Sequence, residues 1–489
     1  MGLLEYCRRC LIPSTRPDLT LNEEGVCDAC VSYGLREGID WDDRKRQLLE
    51  IVEELSARER TGYDCIIPVS GGKDSTFQVY YATKVLGLKP LCVNFTPCLV
   101  SEVGKENLAN LQEMGADLVQ VRVNPVVHRK LAKIGLTQVG DICWPEHVGI
   151  FTTPVRIAVK YNVPLILWGE NPQVEYGGPL PSKDNYIMDR RWMEEFGGLL
   201  GLRVEDMVGV DGLTESDVAP FTYPSQEELA RVGVTGIFLG SFIPWDFRES
   251  ARIAISEGFK VNPDGLCEGT YVDFYSLDCV YHSIHDYFKF LKFGFGRATD
   301  HVCQDIRAGR MDRDEALELV RSYDGKIPWR SVRAFLQDVG MTVEEFSRIA
   351  DAFTNKAIFR TDEDGNLLHD QDGNLHKSNY DNVVADPLDQ PYLVSHPRRA
   401  GGSGVSTRAR TQVVVVDYGM GNLASVAKAF EALGCTLRVT GDPQDLAACE
   451  RIVLPGVGAF IEGMHNLRAR GLVEAIQEEV LGKGKPLLG

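Results

Sequence analysis

A glycine-rich loop with one lysine and one aspartate is the first place where this sequence could do chemistry. The apolar stretch CIIPV (65–69) leads directly into SGGKDS (70–75), and a helical pattern, TFQVYYATKVL (76–86), follows. Two glycines let the backbone curl so that successive N–H groups point into one concavity, and the N-terminus of a following helix adds positive partial charge. The pattern therefore predicts a phosphate cradle. Its residues are Ser70, Gly71, Gly72, Lys73, Asp74 and Ser75.

Asp74 indicates which phosphate chemistry to expect. Ser70 and Ser75 supply hydroxyl donors and Lys73 supplies charge, but a carboxylate in the cradle would repel phosphate unless Mg²⁺ lay between them. The spacing is not that of a Walker loop, which needs Gly-x4-Gly-Lys-Ser/Thr. A solvated Gly-Ser turn is the alternative, and the strand–loop–helix order argues against it.

Four cysteines near the start form the second group that could do chemistry. Cys7 and Cys10 make one Cys-x-x-Cys pair, and Cys27 and Cys30 make another. Two such pairs can complete a tetrahedral sulfur site for Zn²⁺. Redox pairs and an iron–sulfur cluster are the alternatives. Four protein ligands would fill the coordination shell of zinc, so we expect a structural role for this site and not a catalytic one.

The elements that must position these residues follow an alternating pattern. Short apolar runs alternate with helical stretches from Tyr63 onward, which is typical of a parallel sheet with crossover helices. A helical region, a linker rich in Pro, Gly, Ser and Arg, and a second α/β segment come next. The predicted organisation is a zinc ribbon (1–36), a connecting helix (37–61), a nucleotide-binding α/β domain (62–260), a helical region (261–360), a hairpin with linker (361–411) and a partial α/β domain (412–489).

Composition limits the possible partners. The chain has 489 residues and a net charge of −18, which argues against nucleic acid as a partner. No apolar run approaches the length of about 18 residues that a membrane helix needs, and the start lacks a secretory signal. Thirteen cysteines, four of them in two pairs, favour reduced thiols. We therefore expect a cytoplasmic protein with no membrane segment.

The loop, as it stands, resembles the fingerprint of the PP-loop ATP pyrophosphatases, which have an adenine nucleotide α-hydrolase-like fold. This resemblance implies that ATP is cleaved between its α- and β-phosphates with Mg²⁺ bound, and that a carbonyl-type oxygen is adenylylated. Lys73 and Asp74 would then take part in catalysis. Glu170, in the motif WGEN (168–171), would complete the Mg²⁺ site, although it could equally be a solvated loop residue. The segment that holds adenine would comprise Val93, Asn94 and Phe95.

Longer strings resemble one branch of that superfamily, the N-acetyl sugar amidotransferases of bacterial surface-polysaccharide (LPS O-antigen) assembly. The resemblance covers about residues 4–380 and is carried by these strings: CRRCLIPSTRP, CDAC, DICWPEH, LWGENPQVEYGG and LKFGFGRATDHVCQDIRAGRMDRDEA. It implies a nucleotide-linked N-acetyl sugar as substrate, whose acetamido oxygen is adenylylated and then replaced by ammonia to give an acetamidino group. Lys292 and Arg297 flank a glycine-punctuated turn that could hold the sugar nucleotide, or could simply connect two helices.

The C-terminal segment, residues 413–489, resembles the beginning of a class I glutaminase with a flavodoxin-like fold, specifically the glutaminase subunit of imidazole glycerol phosphate synthase. VVVVDYGMGNLASVAKAFEALG and LPGVGAF carry this likeness, and Gly456 to Gly458 would form the oxyanion strand. The nucleophilic cysteine of that family is absent from this sequence, and Cys435 and Cys449 lie in the wrong places to replace it. We expect a partial domain that cannot hydrolyse glutamine by itself, whether through truncation or as a natural pseudoenzyme. Ammonia would come from a glutaminase domain or subunit.

Other features allow more than one interpretation. Cys143 and His147 could be half of a metal site, although a structural role is at least as reasonable; Cys267, Cys279 and Cys303 could join them. The two DxDGNL repeats in 361–376 favour Asp-Gly turns over a calcium loop, because the closing Glu is absent. The competing function is tRNA thiolation, which PP-loop enzymes with zinc ribbons also perform. It would need sulfur-handling cysteines, and no third Cys-x-x-Cys pair follows the loop.

Overall fold

The computed structural model divides the chain into two compact units. One comprises residues 1–193 and 197–394, and the other comprises residues 194–196 and 395–489. The structure describes residues 4–56, 62–176, 186–188, 200–371, 373–375, 377, 412–419, 423, 426–427, 430, 436–455, 460–483 and 485–488. Within these ranges no helix combines the length and the apolar character that crossing a membrane requires.

The first unit is built around a six-stranded sheet. Its strands are β1 (Cys65–Pro68), β2 (Pro90–Phe95), β3 (Asp117–Val121), β4 (Leu165–Trp168), β5 (Ile187–Met188) and β6 (Thr235–Phe238). They lie in the order β3-β2-β1-β4-β6-β5, and all pair in parallel except β5, which is antiparallel to β6. The prediction of a parallel α/β sheet is confirmed. The apolar run GIFLGSF (236–242) is a strand only as far as Phe238, because Leu239–Ser241 turns into a 3-10 helix.

Helices alternate with the strands of the sheet, and a further group of helices follows the sheet in the chain. Those in and around the sheet are α1 (Asp28–Leu35), α2 (Trp41–Ser56), α3 (Lys73–Tyr80), α4 (Glu102–Glu113), α5 (Pro125–Val139), α6 (Trp144–Tyr161), α7 (Pro172–Glu175), α8 (Glu215–Val218), α9 (Gln226–Val232) and α10 (Phe247–Ser256). The helical region contains α11 (His282–Phe293), α12 (Arg297–Arg307), α13 (Arg313–Tyr323), α14 (Trp329–Val339) and α15 (Val343–Phe353). Thr342 and Glu345 form a capping box at the start of α15.

The helical region shares its core with the N-terminal cysteine segment. Cys7 and Cys10 belong to the same buried cluster as Phe288 and Phe335. The buried Arg313 donates from its guanidinium to the backbone carbonyls of Cys7 and Cys10. A segment too small to bury a core of its own is therefore stabilised by packing against these helices.

Two short turns closed by isolated antiparallel bridges follow the helices. Bridges pair Thr361 with Leu367 and His369 with Leu375. Gly365 and Gly373, at the two Asp-Gly turns, both have positive φ, which glycine adopts without strain. The interpretation as Asp-Gly turns is confirmed. The predicted linker that follows lies outside the described residues.

The second unit contains a four-stranded parallel sheet. Its strands are β7 (Gln412–Val416), β8 (Thr436–Thr440), β9 (Arg451–Val453) and β10 (Leu487–Leu488), in the order β10-β9-β7-β8. The helices described in this unit are α16 (Pro443–Ala448), α17 (Phe460–Ala469) and α18 (Leu472–Ile476). The expected oxyanion strand, Gly456 to Gly458, and Cys435 lie outside the described residues. Cys449 is buried and donates its thiol to the carbonyl of Leu446 at 3.3 Å.

Asp324 fixes the start of α12, the helix that begins at Arg297. Its buried carboxylate accepts from the backbone N–H groups of Gly296 and Ala298 at 2.8 and 3.0 Å, and from the hydroxyl of Thr299. We expect Asp324→Ala to lower the free energy of unfolding of this unit by about 2–4 kcal/mol, because several buried donors lose their acceptor. Urea denaturation of the variant measures this effect.

Asp312 supplies the matched control. It caps α13 from an exposed position and accepts from the backbone N–H of Glu315 at 2.9 Å. Asp312→Ala should cost only about 1 kcal/mol. Equal losses in the two variants would contradict the role assigned to Asp324.

Candidate functional site

The predicted loop lies at the point where the chain reverses its direction across the sheet. β1 and β4 are neighbours, but the chain passes from β1 to β2 and β3 on one side, and from β4 to β5 and β6 on the other. In open α/β sheets the crevice at such a point, beyond the carboxyl ends of the strands, is the usual ligand site. SGGKDS follows β1 and Glu170 follows β4, so both predicted groups reach this crevice.

The loop backbone is shaped by its glycines. Gly71 has φ +86°, and a Cβ there would come within 2.9 Å of Leu108 Cγ and 3.0 Å of the Gly104 carbonyl. A side chain would therefore push the loop away from α4. α3 begins at Lys73, earlier than the predicted Thr76, because Gly72 is extended and serves as its N-cap. Gly72 offers no side-chain cap, so the first N–H groups of α3 keep their capacity to bind an anion.

Lys73 and Asp74 therefore lie in the first turn of α3. Lys73 is buried, and its Nζ is 2.5 Å from Asp74 Oδ2. Asp74 Oδ1 is buried and has no hydrogen-bond partner among the described residues. Ser75 donates its hydroxyl to the Gly72 carbonyl at 2.9 Å, and Gly72 donates its N–H to Ser70 Oγ at 3.1 Å. The two serines thus stabilise the turn of the loop in this structure.

Glu170 and Asp74 act on each other electrostatically. Burial, followed by the negative charge of Asp74, raises the pKa of Glu170 to about 7. Two partly buried carboxylates whose charges act on each other repel, and the buried Asp74 oxygen without a partner adds to the cost. A divalent cation between them would relieve both, so the residues present fit Mg²⁺.

The predicted adenine segment lies at the end of β2. Val93, Asn94 and Phe95 are all buried. Asn94 donates from Nδ2 to the carbonyl of Val69 at 2.8 Å, which ties β2 to the residue before the loop. The Phe95 ring packs against His128, with centroids 5.5 Å apart. Because these side chains are engaged in packing, contacts to a ligand from this segment would be made mainly by its backbone.

A buried network of charges surrounds Arg297. Its Nη2 is 3.0 Å from Asp286 Oδ1 and its Nη1 is 3.4 Å from Asp300 Oδ2. Lys289 contacts both carboxylates, and Arg16 Nη1 is 2.9 Å from Asp300 Oδ1. Burial raises the pKa of Asp286, but Arg297 and Lys289 outweigh it and hold that pKa well below its usual value. Three cations around two ionised carboxylates leave a net positive charge.

Lys292, the other predicted substrate residue, lies in different surroundings. It donates to the carbonyl of Val139 at 3.3 Å; burial lowers its pKa, and the charge of Asp141 opposes that shift. The structure therefore does not join Lys292 to the Arg297 network. Both residues flank the turn between α11 and α12, and that turn directs their side chains to different neighbours.

The four N-terminal cysteines are together and buried. Their sulfurs lie within 4.8 Å of one another, with Cys10 Sγ 3.8 Å from Cys27 Sγ and Cys7 Sγ 4.0 Å from Cys30 Sγ. Zn–S bonds of about 2.3 Å in a tetrahedron place sulfurs about 3.8 Å apart. The pKa of Cys7 is lowered by hydrogen bonds from Cys10, Cys27 and Cys30, whereas burial raises the pKa of Cys10. Four thiolates can coexist here only with a cation, and the geometry suits Zn²⁺.

Contacts connect the cysteine segment to the crevice. Arg36, just after α1, forms an ion pair with the buried Glu175 in α7 and donates to the Trp245 carbonyl at 3.0 Å. The Arg16 guanidinium lies 5.3 Å from the centroid of the Tyr176 ring. The sequence alone did not indicate these residues, because their partners are far away in the chain.

Comparisons with known proteins match two separate parts of the chain. Residues 268–370 match the family described as LPS biosynthesis protein WbpG-like, C-terminal domain. This range contains α11 to α15, and therefore Lys292 and every residue of the Arg297 network except Arg16.

The second match is to subunits of another enzyme. The imidazole glycerol phosphate synthase subunit HisH of Moorella thermoacetica is 52% identical over 77 residues, which is 16% of this chain and 36% of that protein. HisH 1 of Campylobacter jejuni is 47% identical and HisH 2 of Pseudomonas aeruginosa is 43% identical, both over 77 residues and 38% of their length. The chain thus spans little more than a third of the curated relatives that it matches.

Zinc in the cysteine site should be needed for stability. We expect Cys30→Ser to lose one zinc per chain, measured by elemental analysis, and to unfold at a lower urea concentration, because metal binding and folding of such a segment are coupled. Cys303 is the control: it is buried and interacts with Cys10, yet it lies outside the group of four. Cys303→Ala should keep its zinc. A fully folded protein without zinc would contradict the assignment.

Proposed function

We propose that this chain is an ATP-dependent amidotransferase of the PP-loop type that acts on a nucleotide-linked N-acetyl sugar in LPS biosynthesis. The observation that carries the proposal is the SGGKDS loop at the reversal point of the sheet, with Asp74 and Glu170 acting on each other across the crevice. The WbpG-like match over residues 268–370 supports the assignment to LPS biosynthesis.

The chemistry follows from the weak reactivity of an acetamido group. Its carbonyl carbon is a poor electrophile, so its oxygen must first become a leaving group. In the proposed reaction the acetamido oxygen attacks the α-phosphorus of ATP and pyrophosphate departs. Ammonia then attacks the carbon, and AMP leaves with the oxygen. The nitrogen loses a proton, and an acetamidino group remains.

Each residue of the crevice has a role in this proposal. The N–H groups at the start of α3 and the Lys73 ammonium would bind phosphate oxygens, where negative charge develops. Asp74 and Glu170 would hold Mg²⁺, which neutralises the departing pyrophosphate. Ser70, Gly71, Gly72 and Ser75 shape the cradle, and the backbone of residues 93–95 would contact adenine.

The net positive charge around Arg297 would serve the acceptor. Sugar nucleotides carry a diphosphate or a monophosphate, and acidic sugars add a carboxylate. A guanidinium recognises either group with paired hydrogen bonds. We propose that Arg297, Lys289 and Arg16 attract this anion, and we do not assign Lys292 to it, because its side chain lies beside Val139.

Ammonia would come from a glutaminase. The match to HisH subunits supports this, because residues 413–489 also resemble the beginning of a class I glutaminase in sequence. We further propose a cytoplasmic location, where ATP, glutamine and nucleotide sugars are present together.

Asp74→Asn tests the proposed ATP chemistry. Incubated with ATP, Mg²⁺, ammonium and UDP- or CMP-linked acetamido sugars, the wild-type protein should release pyrophosphate and yield a sugar in which NH replaces O. The variant should be slower by about 10²-fold or more, because Mg²⁺ loses a ligand. Pyrophosphate release and mass spectrometry of the sugar measure the outcome.

Glu102→Gln is the matched control, since Glu102 is an exposed carboxylate on α4, the helix that packs against the loop. It should react at the wild-type rate. Release of ADP and phosphate instead of AMP and pyrophosphate, or wild-type activity of Asp74→Asn, would contradict the proposal.

Removing the second unit tests whether the proposed reaction with ammonium needs only the first unit. A chain ending near residue 394 keeps the loop, Glu170 and the Arg297 network. We expect its turnover with ammonium to equal that of the full chain, because the proposed adenylylation needs only the first unit. Steady-state rates at saturating ammonium measure this, and loss of activity in a folded truncated protein would show that the second unit takes part.

A further inference from the structure

A second group of metal-ligand side chains lies away from both the cysteine site and the loop. Asp141, Cys143 and His285 offer an oxygen, a sulfur and a nitrogen that all lie within 4.8 Å of one another. Asp141 and Cys143 are buried, and His285 is partly exposed. Asp141 and Cys143 precede α6, whereas His285 comes from α11. The fold thus brings together donors that are more than 140 residues apart in the chain.

The carboxylate at the centre is held in a fixed orientation. Asp141 Oδ1 accepts the backbone N–H of Cys143 at 2.9 Å and lies 2.7 Å from His285 Nδ1. Its other oxygen, Oδ2, lies 3.2 Å from His147 Nδ1. His147 lies in the first turn of α6, and its backbone N–H donates to the Cys143 carbonyl at 2.9 Å. Partners of this kind orient the ligands in metal sites.

We propose that Asp141, Cys143 and His285 bind a divalent transition-metal ion, with His147 orienting the carboxylate. A mixed set of oxygen, nitrogen and sulfur donors suits Zn²⁺ and disfavours Mg²⁺ or Ca²⁺, which select oxygen. Three protein ligands leave a fourth tetrahedral position for water or for an oxygen or nitrogen of a small molecule. That open position distinguishes this site from the four-cysteine site, where all four ligands come from the protein.

Little movement is needed for the metal to enter. Bonds of about 2.0–2.2 Å in a tetrahedron would separate the Asp141 oxygen and the His285 nitrogen by about 3.3 Å, compared with 2.7 Å in the hydrogen bond. Rotation of the His285 side chain supplies this change. On binding, the Cys143 thiol loses its proton to solvent, and the His285 proton moves from Nδ1 to Nε2.

The Asp141, Cys143 and His285 group lies at the same edge of the sheet as the proposed ATP crevice. Glu146, in the first turn of α6, accepts the N–H of Cys98 at 3.2 Å, and Cys98 comes three residues after β2 ends. The first turn of α6 therefore lies beside the carboxyl ends of the strands. The metal site is nevertheless independent of the proposed function, because its donors include none of the residues assigned to ATP or to the acceptor.

Metal content of the full chain tests this proposal. The protein is saturated with Zn²⁺ in the presence of excess Mg²⁺, which keeps zinc from Asp74 and Glu170, and is then freed of unbound metal by gel filtration. We expect two zinc ions per chain in the wild type and one in Cys143→Ser and His285→Gln. Replacing zinc by Co²⁺ gives a second readout. In these two variants the absorption bands of the proposed site, which has one thiolate ligand, should disappear, and the bands of the four-cysteine site should remain.

Two neighbouring residues give matched controls. Cys98 lies near Glu146, and His282 lies one turn before His285 and contacts the Tyr275 hydroxyl at 2.8 Å. Cys98→Ser and His282→Gln should keep two zinc ions, and circular dichroism establishes that each variant is folded. One zinc per chain in the folded wild type would overturn the proposal and leave Asp141 as a hydrogen-bonding centre for two imidazoles. Two zinc ions retained in both Cys143→Ser and His285→Gln would also overturn it.

Discussion

The repulsion between Asp74 and Glu170 is the interaction on which the rest of the site depends. Asp74 follows β1 and Glu170 follows β4, and these two neighbouring strands lie where the strand order reverses. Burial and the charge of Asp74 together raise the pKa of Glu170. Such an arrangement costs stability in an empty crevice, and it becomes favourable when a cation and a phosphate chain fill it. The fold thus concentrates negative charge where Mg²⁺ and ATP are proposed to bind.

The cysteine segment supports this crevice at a distance. Arg36 anchors Glu175, and so fixes the short helix that follows Glu170. Arg16, between the two cysteine pairs, reaches Asp300 and adds positive charge to the network around Arg297. Zinc would therefore do more than stabilise a small segment: it would hold two arginines in place for the site. Arg313 completes the link by binding the carbonyls of the first cysteine pair.

Local patterns in the sequence were sufficient to predict the loop, the four cysteines and the strands. A loop between a strand and a helix is determined by consecutive residues, and so its position follows from them. The start of α3 was predicted three residues too late, because an extended Gly72 can serve as an N-cap without a side-chain acceptor. Lys292 and Arg297 are close in sequence and were predicted as a pair, but the turn between them sends Lys292 towards Val139.

Contacts between distant segments could not be predicted from the sequence. Cys143 and His147 allow a metal site or a structural role by sequence alone, and His285, which lies within 4.8 Å of the Asp141 and Cys143 ligand atoms, comes from a helix far away in the chain. The same holds for Arg16 and Asp300, which are separated by 284 residues. Pairing across such separations depends on the packing of α11 and α12 against the sheet and the cysteine segment, and no local periodicity encodes it.

The fate of the acetamido oxygen tests the central claim most directly. The full chain would be given ATP, Mg²⁺, ammonium and a nucleotide-linked N-acetyl sugar that carries ¹⁸O in its acetamido group. The proposed mechanism transfers this oxygen to the α-phosphate, so mass spectrometry should find ¹⁸O in AMP and none in pyrophosphate. Label in inorganic phosphate, or label that stays in the sugar while AMP forms, would contradict adenylylation of the acetamido group.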